Sequence, residues 1–401
     1  SGTGTVGFDP LGVDCGATCA VSVAPGTTVT LQGRTQNGAD SYFQGFTGGG
    51  CAGADRDCTI QVDAATHVDA TFAAQDFNLV FVTAEPYATD LGGTFNYDVA
   101  CNDAASAAGI NDTNANGTRF AAWLSDASDV TPPVDAPTRG FVRLDGKPVG
   151  DTVASLLAGE ILNPIAIDEN GARVSDDDVM TGTLASGAGS PDTCSDWFSN
   201  SGAVRTGLTS GGPNIWTSLQ SLPCAPMRMY CFMKTKTAAL STTPSAGKLA
   251  YLTNAPYIPG SGDPDARCEA DKPAGTGPVT ALLARTTATA ATHLDPAAVY
   301  VRPDGQVVGT GQDLIDVAIA SARLESGIWQ SGDGTYVVGG IVWTGALNLT
   351  TTPNASETCG DWSTQIGSGR VGASSYTVTS HWNDGSFGCS SVFIRLYCVE
   401  Q

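Results

Sequence analysis

The chain has 401 residues, 41% of them hydrophobic and 15% charged, with 49 glycines and a net charge of −21. That is long enough for two to four domains with cores of their own, and too apolar for a disordered chain. The acidity disfavours nucleic acid and sulfated glycans, which would meet like charge, and suits cations or cationic partners. No stretch approaches the ~18 to 20 apolar residues of a membrane helix, so membrane insertion is not expected. No signal-type leader is visible, and Ser1 is expected to follow a processed terminus.

In chain order, alternation at 28–31 and 58–62 predicts strands near the cysteines Cys15, Cys19, Cys51 and Cys58. Residues 78–83 are the next β-rich run. The Ala-rich stretch 97–108, with Val99, Ala100, Ala104, Ala107 and Ala108 toward one face, predicts a helix carrying Cys101. A strand is predicted at 140–144, followed by an Asp145-Gly146 hairpin turn. Asp176-Asp177-Asp178 reads by default as a solvated acidic loop, with a calcium loop as the weaker alternative. An apolar strand at 227–232 carries Cys231, and 234–247, with Thr, Ser, Ala and one Pro, reads as a linker. A short helix is predicted at 312–320, and a last apolar strand at 392–399 carries Cys398.

The twelve cysteines fall into three groups of four, the later two being Cys101, Cys194, Cys224, Cys231 and Cys268, Cys359, Cys389, Cys398. Even counts per segment point to disulfides made in an oxidising compartment. From 194 to 224 is 30 positions, as is 359 to 389; the outer intervals are 93 against 91 and 7 against 9. Neighbouring residues agree as well. Phe81-Val82-Thr83-Ala84-Glu85-Pro86-Tyr87 answers to Tyr251-Leu252-Thr253-Asn254-Ala255-Pro256-Tyr257, and Thr181-Gly182-Thr183-Leu184 to Thr344-Gly345-Ala346-Leu347. Cys194-Ser195-Asp196-Trp197 answers to Cys359-Gly360-Asp361-Trp362, and Arg228-Met229-Tyr230-Cys231 to Arg395-Leu396-Tyr397-Cys398. The chain therefore contains an internal duplication. Its expected domains are 1–75, 76–233 and 248–401, with 234–247 as the linker. Spacing alone allows three disulfide pairings in each group.

The two Cys-x-Asp-Trp motifs, the 30-residue step after each and the closing Tyr-Cys resemble endostatin and the bacterial domains related to it, which share the C-type-lectin-like fold. The resemblance implies the nested pairs Cys101–Cys231 with Cys194–Cys224, and Cys268–Cys398 with Cys359–Cys389. Loops of that length contribute about 3 to 5 kcal/mol each through chain entropy. The first 75 residues resemble the InlB B-repeat family of bacterial surface modules, through Gly4-Thr5-Val6, Asp14-Cys15-Gly16-Ala17-Thr18-Cys19, Gly26-Thr27-Thr28-Val29-Thr30-Leu31 and Gly45-Phe46-Thr47-Gly48. There the local bridges Cys15–Cys19 and Cys51–Cys58 are preferred over crossed pairs. The implied fold is mostly β (α+β): a small N-terminal β domain, then two C-type-lectin-like, endostatin-like domains, each with short helices and two disulfides.

Catalytic signals are weak. The three histidines, His67, His293 and His381, stand in separate segments without metal-ligand spacing, and neither an HExxH nor a phosphate-binding loop occurs. Gly49-Gly50-Cys51-Ala52-Gly53 mimics a nucleophile elbow but lacks the strand–helix context, and Ser245-Ala246-Gly247-Lys248 falls in the linker. No enzyme is expected. The sharper expectation is calcium. C-type lectins bind it through a Pro-containing loop and a downstream Trp-Asn-Asp, and a hard cation wants six to eight oxygens. Asn354, Glu357, Asn383 and Asp384 match that pattern and are the candidate calcium and ligand-binding residues, although Thr352 stands where the pattern leads with an acid. In the earlier copy, Ser190-Pro191-Asp192 and Trp216-Thr217-Ser218 have lost it. The bland alternative is a core Trp382 followed by a polar Asn383-Asp384-Gly385 turn.

A weaker candidate is Asp112, Asn114 and Asn116, which alternate and end at Gly117, with Asp126 or Asp129 as further ligands and Trp123 in place of the closing acid. Trp197, Trp216, Trp362 and Trp382 occur at matched positions and are expected in the core. Trp329, Tyr336 and Trp343 lie in a Gly-rich stretch and are expected to line a surface. The expected function is that of a secreted or bacterial cell-surface, non-enzymatic binding protein. It would be an adhesin-like carbohydrate binder using calcium in its last domain, with a glycan or surface protein as partner. The alternative is a structural subunit whose copies assemble into an extracellular fibre, sheath or stalk. Fold analogy does not separate the two.

Overall fold

A computed structural model describes residues 3–16, 19–35, 41–53, 56–110, 119–128, 134, 137–317, 319 and 322–401. Strands dominate over short helices, so the fold is mostly β with an α+β character. Two compact units are formed. The first comprises Ser1–Ala154, Ile165–Thr209 and Thr217–Ser241, and the second Ser155–Pro164, Ser210–Trp216 and Thr242–Gln401.

The first unit opens with two small antiparallel sheets. One orders Val13–Cys15, Gly4–Asp9, Thr27–Thr35 and Asp57–Val62; the other orders Cys51–Gly53, Ser41–Gly48 and Asp69–Ala74. Alternation in Thr27–Thr35 turns Val29 and Leu31 inward against Phe43, Phe46 and Cys51. Bridges Cys15–Cys19 and Cys51–Cys58 staple this small core, which would be marginal unaided.

Each copy of the duplication then builds the same sheet. In the first, the closing strand Tyr230–Met233 lies between Asn78–Val82 and Phe120–Ala122, pairing antiparallel with both. Asn78–Val82 runs parallel to Arg139–Arg143, which turns back into Pro148–Thr152. In the second unit Arg395–Glu400 likewise lies between Lys248–Leu252 and Val279–Ala281, and Lys248–Leu252 runs parallel to Val299–Val301. First and last strands of a copy are thus neighbours, and a bridge ties an early helix to the last strand.

That helix is Thr94–Ala107 in one copy, three residues longer at its start than the apolar face suggested, and Pro264–Asp271 in the other. Pro264 fits the first helical position because its missing N–H would be orphaned there, and the Asp263 side chain accepts from Asp265 N at 3.1 Å. The later helix, Gly311–Val317, is closed by a reciprocal box. Asp313 N donates to Thr310 Oγ1 at 3.1 Å, and Thr310 N donates to Asp313 Oδ2 at 2.7 Å.

In the first copy Asp178–Met180, Ala203–Leu208 and Gln220–Pro223 form a separate three-stranded sheet, whereas the corresponding Ile341–Trp343, Ser368–Ala373 and Gly385–Gly388 continue the second copy's main sheet, Ile341–Trp343 running parallel to Arg395–Glu400. The remaining bridges are Cys101–Cys231, Cys194–Cys224, Cys268–Cys398 and Cys359–Cys389, so all twelve cysteines are paired. Six disulfides fit an oxidising, extracellular-type setting. Among the described residues no helix is long and apolar enough to cross a membrane.

Candidate functional site

The Cys-x-Asp-Trp motifs come first because they organise what surrounds them. Each is a left-handed turn: φ is 53°, 57°, 53° and 70° over Cys194 to Trp197, and 52°, 61°, 58° and 65° over Cys359 to Trp362. For L-residues that conformation costs roughly 1–2 kcal/mol per residue, and persists only where surrounding contacts over-determine it. Those contacts are present. Thr193 and Thr358 hydroxyls accept from the N–H of Asp196 and Asp361 at 3.1 Å. The carboxylates of Asp196 and Asp361 accept from Ala127 N and Thr286 N at 2.8 and 2.9 Å. Trp197 and Trp362 bury their indoles and donate to the carbonyls of Ser125 and Ala284 at 3.2 and 3.0 Å. Cys, Asp and Trp are all committed to scaffold.

The four candidate calcium residues flank the strand Ser368–Ala373 from opposite edges. Thr358, just past Asn354 and Glu357, bridges Gly369 on the edge shared with Ile341–Trp343. Asp384 lies on the other edge, where its N–H donates to Val371 O at 2.8 Å beside the Val371–Gly385 pair. Two strand spacings separate the pairs, about 10 Å of backbone. Glu357 is already engaged. Its Oε1 accepts from Arg370 Nε at 2.7 Å and its Oε2 from Asn354 N at 3.3 Å. The hydrogen bond from Arg370 holds its carboxyl below the usual range. Among the described residues no hydrogen bond reaches the side chain of Asn383 or Asp384, and Asp384 is exposed. As placed, the set does not fit a calcium ion: the metal would have to displace the Arg370 guanidinium and draw donors together across a strand. Among the described residues no three His, Cys, Asp or Glu side chains gather as a metal site.

Asp112, Asn114, Asn116 and Asp129 lie outside the described residues. The acidic run 176–178 is less free than a solvated loop. Asp177 pairs with Arg228 at 2.9 Å and Asp178 accepts from Thr206 Oγ1 at 3.0 Å. The matched tryptophans Trp197, Trp216, Trp362 and Trp382 are buried. One expectation is corrected: Trp329 and Trp343 line no surface and are fully buried, with Tyr336 half-buried. Glycines give these rings flat packing, one from the stretch itself and two from distant segments. A Cβ on Gly212 or Gly327 would come within 2.4 or 2.5 Å of Trp329, and one on Gly369 within 2.8 Å of Trp343. Of these only Gly327 adjoins its ring in sequence, so the close approach is completed by glycines brought in from elsewhere in the chain.

Exposed apolar residues, missed in the sequence, collect instead at the Cys359–Cys389 end. Phe387 and Phe393 meet edge to face with ring centres 5.4 Å apart. Phe393 is 52% exposed, Val392 65% and Ile366 83%. Gly367 O, next to Ile366, accepts from Cys389 N at 3.0 Å, which brings 366–367 beside the Cys359–Cys389 bridge. Gly385–Gly388 forms the outer edge of its sheet. The only signal available beforehand was the two-residue excess between Cys389 and Cys398, where Val392 and Phe393 sit. No family model matches the chain, and no curated protein matches it either.

Proposed function

We propose that the protein is an extracellular, non-enzymatic binding protein of a bacterial surface, and that its last copy carries the contact surface at the Cys359–Cys389 end. The observation behind this reading is the exposed Phe387–Phe393 pair with Val392 and Ile366 beside it. Aromatic faces flanking a bridged cysteine, Phe387 before Cys389 and Phe393 after it, offer large contact area with little ordering cost, whether the partner is a sugar ring or an apolar protein patch. The calcium reading gains less support, because Glu357 is held by Arg370. Its remaining support is the unengaged Asn383 and Asp384.

Assembly is the second reading, and one observation favours it. The first unit displays its own apolar cluster: Leu91, Phe95 and Val99, with Phe198 over Gly93. Where Val99 and Phe198 stand, the second copy has Ala266 and Ser363. Two unlike apolar patches on one chain suit head-to-tail association. One experiment separates these readings: a glycan array of the intact chain in Ca²⁺ and in EDTA, paired with sedimentation over a concentration series. Binding in both buffers that is lost in Phe393→Ser supports the proposal. Binding lost in EDTA and in Asp384→Ala restores calcium. A blank array with mass rising with concentration, reversed by Phe95→Ser, selects assembly.

A further inference from the structure

The second unit contains a side-chain cluster that grips a stretch of chain distant in sequence. Arg302 is wholly buried, its guanidinium 4.7 Å from the Trp329 ring centre and 5.9 Å from that of Tyr336. Asp304 holds it in a fork, at 3.2 Å from Nε and 2.7 Å from Nη2, and the Tyr336 hydroxyl donates to the same carboxylate at 2.6 Å. Burial alone would raise Asp304; the charge and hydrogen bonds of Arg302, with the Tyr336 hydroxyl, outweigh it and hold the carboxyl low. A buried, paired guanidinium of this kind is a rigid donor array.

Three consecutive residues of Ser155–Pro164 meet that array. Trp329 Nε1 donates to Ile161 O at 2.9 Å, and Arg302 Nη2 donates to Leu162 O at 2.9 Å. Asn163 Nδ2 donates to Gln306 Oε1 at 3.0 Å, fully buried. Local sequence prepares the stretch for capture. The short helix Val153–Leu157 ends where Glu160 N bonds Ser155 O and Gly159 N bonds Leu156 O, with Gly159 at φ 93°. That is a Schellman stop, which needs glycine. Pro164 then biases Asn163 toward extended backbone, leaving consecutive carbonyls without helical partners.

Ser210–Trp216 joins the same unit by a reciprocal exchange: Gly212 N donates to Ser375 O at 2.7 Å and Thr377 Oγ1 to Ser210 O at 3.1 Å. Ser210 lies 16 residues after Cys194 and Ser375 16 after Cys359; Gly212 and Thr377 each lie 18 after. Positions that match in the duplicated sequence therefore exchange bonds within the second unit.

We infer that Ser155–Pro164 is a built-in peptide ligand of the second unit, held by Arg302, Trp329 and Gln306, and that the unit is complete only with this strap in place. The recognised chemistry is an extended segment offering two adjacent backbone carbonyls followed by a side-chain amide. Glu160 is exposed, so a glutamate-specific protease has a target whose cleavage requires the following residues to leave their site. In the intact 401-residue chain the Glu160–Ile161 bond should resist cutting. Trp329→Phe, which removes only the indole donor, and Asn163→Ala should each speed cutting there about three- to tenfold, the factor that one lost hydrogen bond brings. Cleavage at other glutamates should not change. Asn163→Ala is the mild variant should Trp329→Phe fold poorly. Wild-type cutting at the rate of an open loop would overturn the inference. So would variants that leave the rate unchanged, or protection that depends on protein concentration, which would assign the strap to a second copy.

Discussion

His381 lies inside the second unit, stacked on Tyr397 with ring centres 4.6 Å apart. Its Nδ1 is 3.1 Å from Tyr376 O, a contact that requires the proton there, while Tyr397 donates its hydroxyl to His381 O at 2.9 Å. Nε2 is buried without a hydrogen-bond partner among the described residues. A bare acceptor is tolerable there, whereas a buried imidazolium is not, and burial pulls the group from 6.5 to about 3. The unfolded chain therefore binds a proton that the folded one refuses, so this residue opposes folding as pH falls below 6.5. The loss grows by about 1.4 kcal/mol per pH unit until the folded pKa is reached. His293 shifts the same way through burial, so the test is a difference. Chemical denaturation at pH 8, 6 and 5 should show wild-type stability falling more steeply than that of His381→Asn, which keeps a donor toward Tyr376. Parallel curves would refute it. Nothing in the sequence marked His381 as buried. The misplaced Trp329 and Trp343 show the converse limit, since glycine beside tryptophan is compatible with exposure until the facing strand is known.

At the scale of the element, the left-handed Cys-x-Asp-Trp turn is the unusual piece. Its sequence identity between copies was legible, but its geometry was not, because neither alternation nor helical period describes four successive residues at positive φ. The two copies differ at the second position, Ser195 against Gly360. Glycine enters this region freely and serine does not. Ser195→Gly should thus raise the unfolding midpoint of the first unit, by about 0.5–1 kcal/mol in free energy, with the unfolded-state entropy of glycine offsetting part of the gain. Urea denaturation followed by tryptophan emission reads it; a destabilised variant would mean that the Ser195 side chain carries an interaction that outweighs the strain. Strands were the best-read elements. The expected runs at 78–83 and 140–144 correspond to Asn78–Val82 and Arg139–Arg143, since short apolar runs bounded by turns have few other uses. The end strand began later than expected: 392–394 precede Arg395–Glu400 and display Val392 and Phe393 to solvent.

For the whole molecule, charge is the dominant surface property. Forty acidic against nineteen basic residues leave −21 to repel itself, and the ion pairs are mostly partly exposed, where each contributes little. Raising NaCl from 0.05 to 0.5 M shortens the screening length from roughly 14 to 4 Å. The thermal midpoint should rise by about 2 to 4 °C, the shift that roughly 1 kcal/mol brings to a unit of this size. A midpoint that falls with salt would mean that the paired carboxylates, Asp145, Asp304 and Glu357 among them, outweigh the net repulsion.

The sequence by itself established the duplication, the grouping of cysteines in fours and a mostly β chain, because cysteine spacing and alternation are recorded in the order of residues along the chain. It left three pairings per cysteine group open, and the structure contains one in each. What only the tertiary structure decided is which distant groups meet. Glu357 finds Arg370 across 13 residues and so is no free calcium ligand; Arg302 finds Leu162 across 140 and so draws a strap into the second unit. A side chain's partner depends on the path the chain takes between them, and no local pattern encodes that path.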